Sequence, residues 1–201
     1  MHILIIGNGI AGITAARHIR QRADHQITVI SAESDYFFSR TALMYVYMGH
    51  MHWNDIMPYE PWFWEKNRIH LIHDLVNVLD DQCKTVHTAG GKQISYDKLI
   101  LATGSLSNRL EIPGNELDGV ASLYSLQDLQ YIESKSTNLK RVVIAGGGLI
   151  GIELAEMFHS RHIPVTFLVR ESSYSNMLLP AEESEMVNRE IREHGIDLRL
   201  H

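Results

Sequence analysis

Apolar residues fall along this chain in short unbroken runs, two of which stand at the head of the same local pattern. His2–Ile6 reads HILII and Arg141–Ala145 reads RVVIA. Runs with so few polar interruptions suit strands buried on both faces, so each is expected inside a parallel sheet. A glycine-rich turn follows each run, at Gly7–Gly12 and Gly146–Gly151, and leads into a stretch with helical spacing, Ile13–Ala23 and Ile152–His162. Further apolar runs, Gln26–Ser31 and Pro164–Val169, close the two copies. A strand–turn–helix–strand unit of this length predicts parallel neighbours joined by a right-handed crossover. Its repetition about 140 residues later predicts two α/β domains in series rather than one sheet.

Between the copies the pattern predicts a helical stretch at Arg40–Gly49 and an aromatic-rich segment at Pro58–Asn67. Short strands are expected at Ile69–His73, Leu75–Leu79, Thr85–Thr88, Gln93–Ile94 and Lys98–Leu101, with Ala89-Gly90-Gly91 as a hairpin turn. A linker follows Pro113-Gly114, and Ser125 is expected to cap a helix reaching Ser136. Ala181–His194 reads as a helix closed by Gly195, followed by a strand over Ile196–Leu200. A doubly wound domain needs more strands than this second copy supplies, so the chain is expected to stop at His201 before its domain is complete.

Composition narrows the classes. A net charge of −6 and a pI near 6.0 argue against nucleic acid or an anionic membrane as the main partner. No apolar run reaches the ~20 residues of a membrane span, and Met1 leads straight into a strand without room for a signal peptide. A cytoplasmic location is expected. Cys83 is the single cysteine, so no internal disulfide is available, and it is expected to be a buried or incidental thiol. The twelve histidines are scattered; His159 and His162 share helical spacing but have no ligand cluster beside them, so no metal site is expected.

Gly7-Asn8-Gly9-Ile10-Ala11-Gly12 fits G-x-G-x-x-G at a strand–helix junction. The first glycine permits the tight turn, the second lets backbone approach a diphosphate, and the third lets helix and strand pack closely. The helix N-terminus then supplies unpaired N–H groups and a positive dipole end. Glu33, 21 residues after Gly12, is either the carboxylate for the adenosine ribose or a solvated loop side chain. Gly146-Gly147-Gly148-Leu149-Ile150-Gly151 repeats the fingerprint, with Glu153 inside the following helix. Arg170 and Glu171 follow the next strand: an arginine suits the 2′-phosphate of NADP and a carboxylate suits NAD, so both remain open.

Two dinucleotide sites on one chain suggest an electron relay between a nicotinamide and a retained flavin. Here a family resemblance becomes specific. Tyr96–Gly104 reads YDKLILATG, Pro113-Gly114 forms an IPG turn with Ile112, and Gly146–Glu153 reads GGGLIGIE. In order and spacing these resemble the pyridine nucleotide-disulfide oxidoreductases, flavoproteins with two dinucleotide-binding domains. The resemblance implies tandem Rossmann-like domains: FAD in residues 1–120, a linker and helix over 121–140, and an incomplete NAD(P)-binding domain over 141–201. It places FAD against Gly7, Gly9, Ile10, Ala11, Gly12, Glu33, Val76, Ala102, Thr103 and Gly104. The nicotinamide dinucleotide falls to Gly146, Gly148, Leu149, Ile150, Gly151, Arg170 and Glu171, with Glu153 near the reacting rings. The family's downstream T…GD segment, a second FAD contact, is not found before His201.

Departures from the pattern shape the expected chemistry. Thr41 occupies the place of the redox cysteine of disulfide-reducing members, and a threonine hydroxyl does not act as a low-pKa thiolate. Ser39–Leu43 instead resembles the cysteine-free ferredoxin, rubredoxin and nitrite reductase-like branches. Arg40 would there be a cation near the FAD phosphates; its other reading is a surface helix arginine. Tyr45 stands where those branches often carry a lysine. The resemblance implies hydride transfer from NAD(P)H to FAD and onward electron transfer to a redox protein, a quinone or oxygen, without a redox disulfide. No side chain presents itself as an obligatory acid, base or nucleophile. A dinucleotide-binding regulatory or interaction protein without efficient turnover is the alternative. The aromatic group Trp53, Tyr59, Trp62, Phe63 and Trp64 reads as helix packing against the sheet, or as an acceptor-docking surface.

Overall fold

Main-chain hydrogen bonding sorts the chain into three sheets in a computed structural model that describes residues 1–201. In chain order the strands are β1 (His2–Ile6), β2 (Gln26–Ser31), β3 (Ile69–His73), β4 (Val76–Asp80), β5 (Thr85–Thr88), β6 (Gln93–Ser95) and β7 (Lys98–Leu101). They continue as β8 (Val142–Ala145), β9 (Val165–Val169) and β10 (Asp197–Leu200). The α-helices are α1 (Ile10–Arg22), α2 (Leu43–Tyr47), α3 (Pro61–Lys66), α4 (Leu126–Ser136), α5 (Leu149–Ser160) and α6 (Ala181–Glu193). Two compact units result. The first holds Met1–Arg40, His52–Arg109 and Tyr124–Gln127; the second holds Thr41–Met51, Leu110–Leu123 and Asp128–His201.

In the first unit a parallel sheet runs β3-β2-β1-β7. Successive side chains of a strand point to opposite faces, and β1 uses both. Ile3 and Ile5 pack with Ile13 and Ala16 of α1, Ile27, Val29, Ile69 and Trp64 of α3. Leu4 turns the other way and meets Ile30 and Val86, flanked by Val76 and Ile94 of the antiparallel sheet β4-β5-β6 and by Tyr96 just past it. The unit is therefore layered as helices, parallel sheet and antiparallel sheet. Leu4 and Ile5 are fully buried, each contributing about 1.5–3 kcal/mol of apolar burial. The hairpin expected at Ala89–Gly91 is present, with the Gly91 N–H donating to the Thr88 carbonyl at 3.0 Å.

The second unit carries a parallel sheet, β10-β9-β8, with α5 and α6 as its crossovers. Phe167, Ala155 and Met157 are fully buried here. Tyr47 of α2 is also fully buried; its ring meets Phe158 edge-on at 5.6 Å and its hydroxyl lies 2.6 Å from Ser136 Oγ. Arg161, just past α5, lays its guanidinium over the same ring at 3.6 Å from the centroid and donates from Nε to the Tyr47 carbonyl at 2.8 Å.

Several boundaries differ from the sequence expectation for identifiable reasons. α1 and α5 begin at Ile10 and Leu149, three residues before the expected starts, because Gly9 and Gly148 take extended N-cap backbone and the third glycine of each motif lies inside the helix. α5 ends at Ser160, and His162 takes φ 58°, so His159 and His162 do not share a helical face. The Arg40–Gly49 stretch divides into a 3₁₀ turn, Arg40–Ala42, and the short α2. No helix is long and apolar enough to cross a membrane.

Candidate functional site: two glycine cradles

Each cradle forms where a central parallel strand ends and a helix begins. Gly7 has φ 110°, and a Cβ there would lie 2.1 Å from the Ala102 carbonyl oxygen. Only glycine accepts both demands. A Cβ on Gly12 would stand 2.0 Å from the Gly7 carbonyl oxygen, which fixes how closely α1 leaves the turn. Gly9 is different: nothing lies within 4 Å of the position a Cβ would take. The middle glycine therefore faces open space rather than protein.

The second cradle repeats the turn and the helix packing, but a Cβ on its first glycine, Gly146, would meet nothing within 4 Å. Gly146 has φ 125°, a Cβ on Gly151 would meet the Gly146 carbonyl oxygen at 2.1 Å, and Gly148 faces open space.

The helix ends beyond these turns are bare. Neither Gly9 nor Gly148 provides a side-chain cap, and neither α1 nor α5 has an acidic residue in its first turn. Helix geometry leaves the first N–H groups without intrahelical acceptors, and the first such bond in α1 is Ile13 N–H to the Gly9 carbonyl at 3.0 Å. By contrast, α6 begins with Glu182 and Glu183. Ile10, Leu149 and Ile150 are 71%, 70% and 55% exposed, so apolar side chains stand open beside both helix ends. Open middle glycines, uncapped N–H groups and uncovered apolar side chains fit a dinucleotide diphosphate at each cradle.

Beside the first cradle, Glu33 and Arg40 meet. Arg40 donates from Nη1 to Glu33 Oε1 at 2.9 Å and from Nη2 to Oε2 at 2.5 Å. The Leu126 N–H donates to Glu33 Oε1 at 3.0 Å, so Glu33 also serves the first turn of α4. The Glu33 carboxylate is thus neither loose nor fully solvated. Arg40 lies in the 3₁₀ turn with its guanidinium committed to this pair.

Asn8, the variable residue between the first two glycines, is buried and donates from Nδ2 to the Ser34 carbonyl at 2.9 Å. It ties the glycine turn to the loop bearing Glu33. Sequence reasoning missed Asn8 because that position of the motif accepts any residue. Ala102 supplies the floor beneath Gly7, whereas Thr103 and Gly104 lie exposed past the end of β7. The Val76 side chain packs against the core behind β1 and β2.

In the second unit, Arg170 and Glu171 follow β9 as an ion pair of 3.2 Å, with the arginine side chain 92% exposed and the glutamate 27%. Glu153 lies one turn into α5. Burial pushes the Tyr174 phenol above its ordinary value, and the nearby Glu153 charge adds to this.

Other sequence candidates take simpler places. Tyr59, Phe63 and Trp64 form a stacked and edge-on cluster packed into the first core, and Trp53 leans on Phe38 at 5.2 Å. Only Trp62 of this group stands well exposed, with Lys66 over its ring. Cys83 is exposed rather than buried, in the turn between β4 and β5, where a hydrogen bond to Asp80 raises its thiol above the ordinary range.

Comparison with known proteins agrees with this architecture. The family model for pyridine nucleotide-disulphide oxidoreductases matches residues 1–201. The chain is 30% identical over 201 residues to the ferredoxin–NAD(+) reductase subunit of the benzene 1,2-dioxygenase system of Pseudomonas putida, covering 99% of the chain and 49% of that subunit. It is 35% identical over 155 residues to NADH-rubredoxin oxidoreductase of Clostridium acetobutylicum, covering 77% and 40%. The crystal structure of NADH:rubredoxin oxidoreductase from Clostridium acetobutylicum superposes with a TM-score of 0.88 at 29% identity, covering 99% of this chain and 52% of that one.

A tandem of parallel α/β units with a bare glycine cradle on each defines a two-dinucleotide protein. The chain belongs to the pyridine nucleotide-disulphide oxidoreductase family, whose cofactors are FAD and NAD(P)H. It spans about half the length of the relatives it matches.

Proposed function

We propose that the chain carries the FAD cradle and the start of the nicotinamide cradle of a flavoprotein NADH reductase that delivers electrons to a small redox protein. The carrying observation is the pair of uncapped helix ends behind open middle glycines, one in each unit. In this reading residues 1–120 hold FAD, residues 121–140 link while their Tyr124–Gln127 segment packs into the first unit, and residues 141–201 hold the nicotinamide dinucleotide. Gly7, Gly9 and Gly12, with the N–H groups of Ile10 and Ala11, receive the FAD diphosphate. Glu33 accepts from the adenosine ribose, and Thr103 and Gly104 border the bound dinucleotide. Gly146, Gly148 and Gly151, with Leu149 and Ile150, receive the second diphosphate, and Glu153 stands toward the reacting rings. When bound, the flavin supplies the hydride-accepting chemistry; the side chains named here bind and orient.

NADH is preferred over NADPH because Glu171 is the more enclosed side chain after β9, while Arg170 points to solvent and is paired with it. A carboxylate at that place accepts from ribose hydroxyls and repels a 2′-phosphate. A redox disulfide has no part in this reading, since Thr41 carries no thiol and Cys83 is the one cysteine of these 201 residues. A redox-protein acceptor is supported by the ferredoxin- and rubredoxin-reducing relatives.

The test is anaerobic stopped-flow reduction of the complete gene product. Flavin absorbance that bleaches with NADH faster than with NADPH, and returns on adding oxidised rubredoxin or ferredoxin, is expected. A yellow protein that neither nucleotide bleaches would overturn the enzyme reading in favour of a non-catalytic dinucleotide-binding module. Return of colour only with oxygen or a quinone would overturn the acceptor.

A further inference from the structure

We propose that Tyr124 is a positioning residue for the FAD site, joining the Glu33–Arg40 pair to the turn at Thr103 and Gly104; this rests on reading the first cradle as the FAD site. Tyr124 lies 84 residues after Arg40 and two residues before the start of α4, yet it makes three separate connections there. Its ring lies beneath the Arg40 guanidinium, 4.3 Å from centroid to carbon. Its carbonyl accepts from Arg40 Nη1 at 2.5 Å. Its hydroxyl accepts the Ser105 N–H at 3.1 Å and sits so near Gly104 that a Cβ there would approach it to 3.0 Å.

These contacts give one side chain two ends with different duties. The ring and carbonyl orient Arg40, whose two-point grip in turn aims the Glu33 carboxylate. The hydroxyl pins the backbone just past β7, where Gly104 has φ 74°. Two neighbouring bonds brace Glu33: Leu126 N–H donates to its carboxylate Oε1 at 3.0 Å, and Gln127 Nε2 donates to its main-chain carbonyl at 2.8 Å. Ribose recognition by a carboxylate demands a fixed acceptor direction, and a preoriented group loses less entropy on binding. Tyr124 therefore acts on FAD through Glu33, Arg40 and the Gly104 turn rather than by supplying the diphosphate cradle.

The experiment measures FAD affinity of the flavin-free chain by quenching of FAD fluorescence, with ADP as competitor to report the adenosine end. Tyr124→Phe keeps the ring and loses the hydroxyl with its bond from Ser105 N–H, and weakens FAD binding ~3- to 10-fold. Tyr124→Leu loses the ring's cation contact as well and weakens it ~10- to 50-fold. ADP affinity falls with FAD affinity, while the Tyr124→Phe chain stays folded and NADH binding at the second cradle stays as in the wild type. In an Arg40→Met background, Tyr124→Leu costs clearly less than in the wild type, since residues sharing one network are non-additive. Equal FAD affinity in wild type and Tyr124→Phe, or an undiminished cost of Tyr124→Leu beside Arg40→Met, overturns the proposal while leaving the FAD site in place. A wild-type chain that binds no FAD overturns the proposal and the reading beneath it. Tyr124→Phe decides the matter if the leucine variant does not fold.

Discussion

Arg161 and Tyr47 hold one another by three contacts: the guanidinium covers the ring at 3.6 Å, Nε donates to the Tyr47 carbonyl at 2.8 Å, and Nη2 donates to the same carbonyl. Arg161 also reaches Glu133 Oε1 at 2.6 Å. Tyr47 is fully buried, so its carbonyl at the end of α2 has few other ways to be satisfied. Arg161→Met keeps much of the aliphatic stem and removes the donors. It is expected to lower stability by about 1–3 kcal/mol, charge-assisted hydrogen bonds supplying most and the partly exposed guanidinium limiting the total. Urea unfolding measures this, and an unchanged midpoint would show that the pair contributes nothing net.

The three glycines of the first cradle separate fold from binding. Gly12→Ala places a Cβ 2.0 Å from a backbone oxygen and should cost roughly 1–3 kcal/mol or more in overpacking. Gly9→Ala meets nothing, at an N-cap whose φ of −70° any residue adopts. It should melt close to the wild type yet bind FAD at least ~10-fold more weakly, because the methyl occupies the space into which backbone and diphosphate must close. Calorimetry with FAD titration distinguishes the two. Equal affinity in Gly9→Ala and wild type would remove the diphosphate from this turn.

Cys83 offers a check of a different kind. Its hydrogen bond to the Asp80 carboxylate and that carboxylate's charge both hold the thiol protonated above its ordinary value. Alkylation by iodoacetamide near pH 8 should therefore be slower than for an unstructured cysteine, although the residue is exposed. Asp80→Asn should speed it. Reactivity that is fast in the wild type and indifferent to Asp80 would contradict the geometry.

Acid should weaken the fold. Asp24 is held below the ordinary carboxyl value by its hydrogen bond to Arg68, Asp74 by Thr88, Asp80 by Cys83, Asp118 by Lys135, and Asp197 by Arg199. A lowered folded-state value means that the unfolded chain binds protons first as pH drops below about 3.8. The stabilisation from these groups is complete above that pH and is lost as pH falls through the lower folded-state values. Replacing Asp118 by Asn should flatten the decline between pH 4 and pH 2 in urea titrations, and an unaltered slope would exclude its share.

Much of this arrangement is local, and local features are legible in sequence. HILII and RVVIA reveal buried parallel strands because both faces demand apolar side chains, and each glycine triplet marks its own turn. What escapes is whatever a loop brings back from afar. Nothing near Glu33 announces that Arg40 will grip it with two bonds, or that Leu126, 93 residues on, will donate to the same oxygen. Tyr124 looks like an ordinary residue before a helix, and Asn8 fills a position where the motif is indifferent. Cys83 stays open between a buried and an incidental thiol in the sequence, because a turn between two antiparallel strands has no apolar periodicity from which to infer a face; the structure shows the exposed alternative.

The pairing of β1 with β7 joins Ile3 to Lys98, and this governs when the first cradle can exist during synthesis. The Gly7 turn and α1 emerge early, but the Ala102 carbonyl beneath Gly7 is made about 95 residues later. At ~5–20 residues per second of translation, the ribosome works for roughly 5–20 seconds while the turn lacks its floor. A growing chain in that interval has its fingerprint written and its cofactor seat unbuilt. On the proposed reading, flavin capture is thereby timed to the completion of β7 rather than to the appearance of the glycine motif.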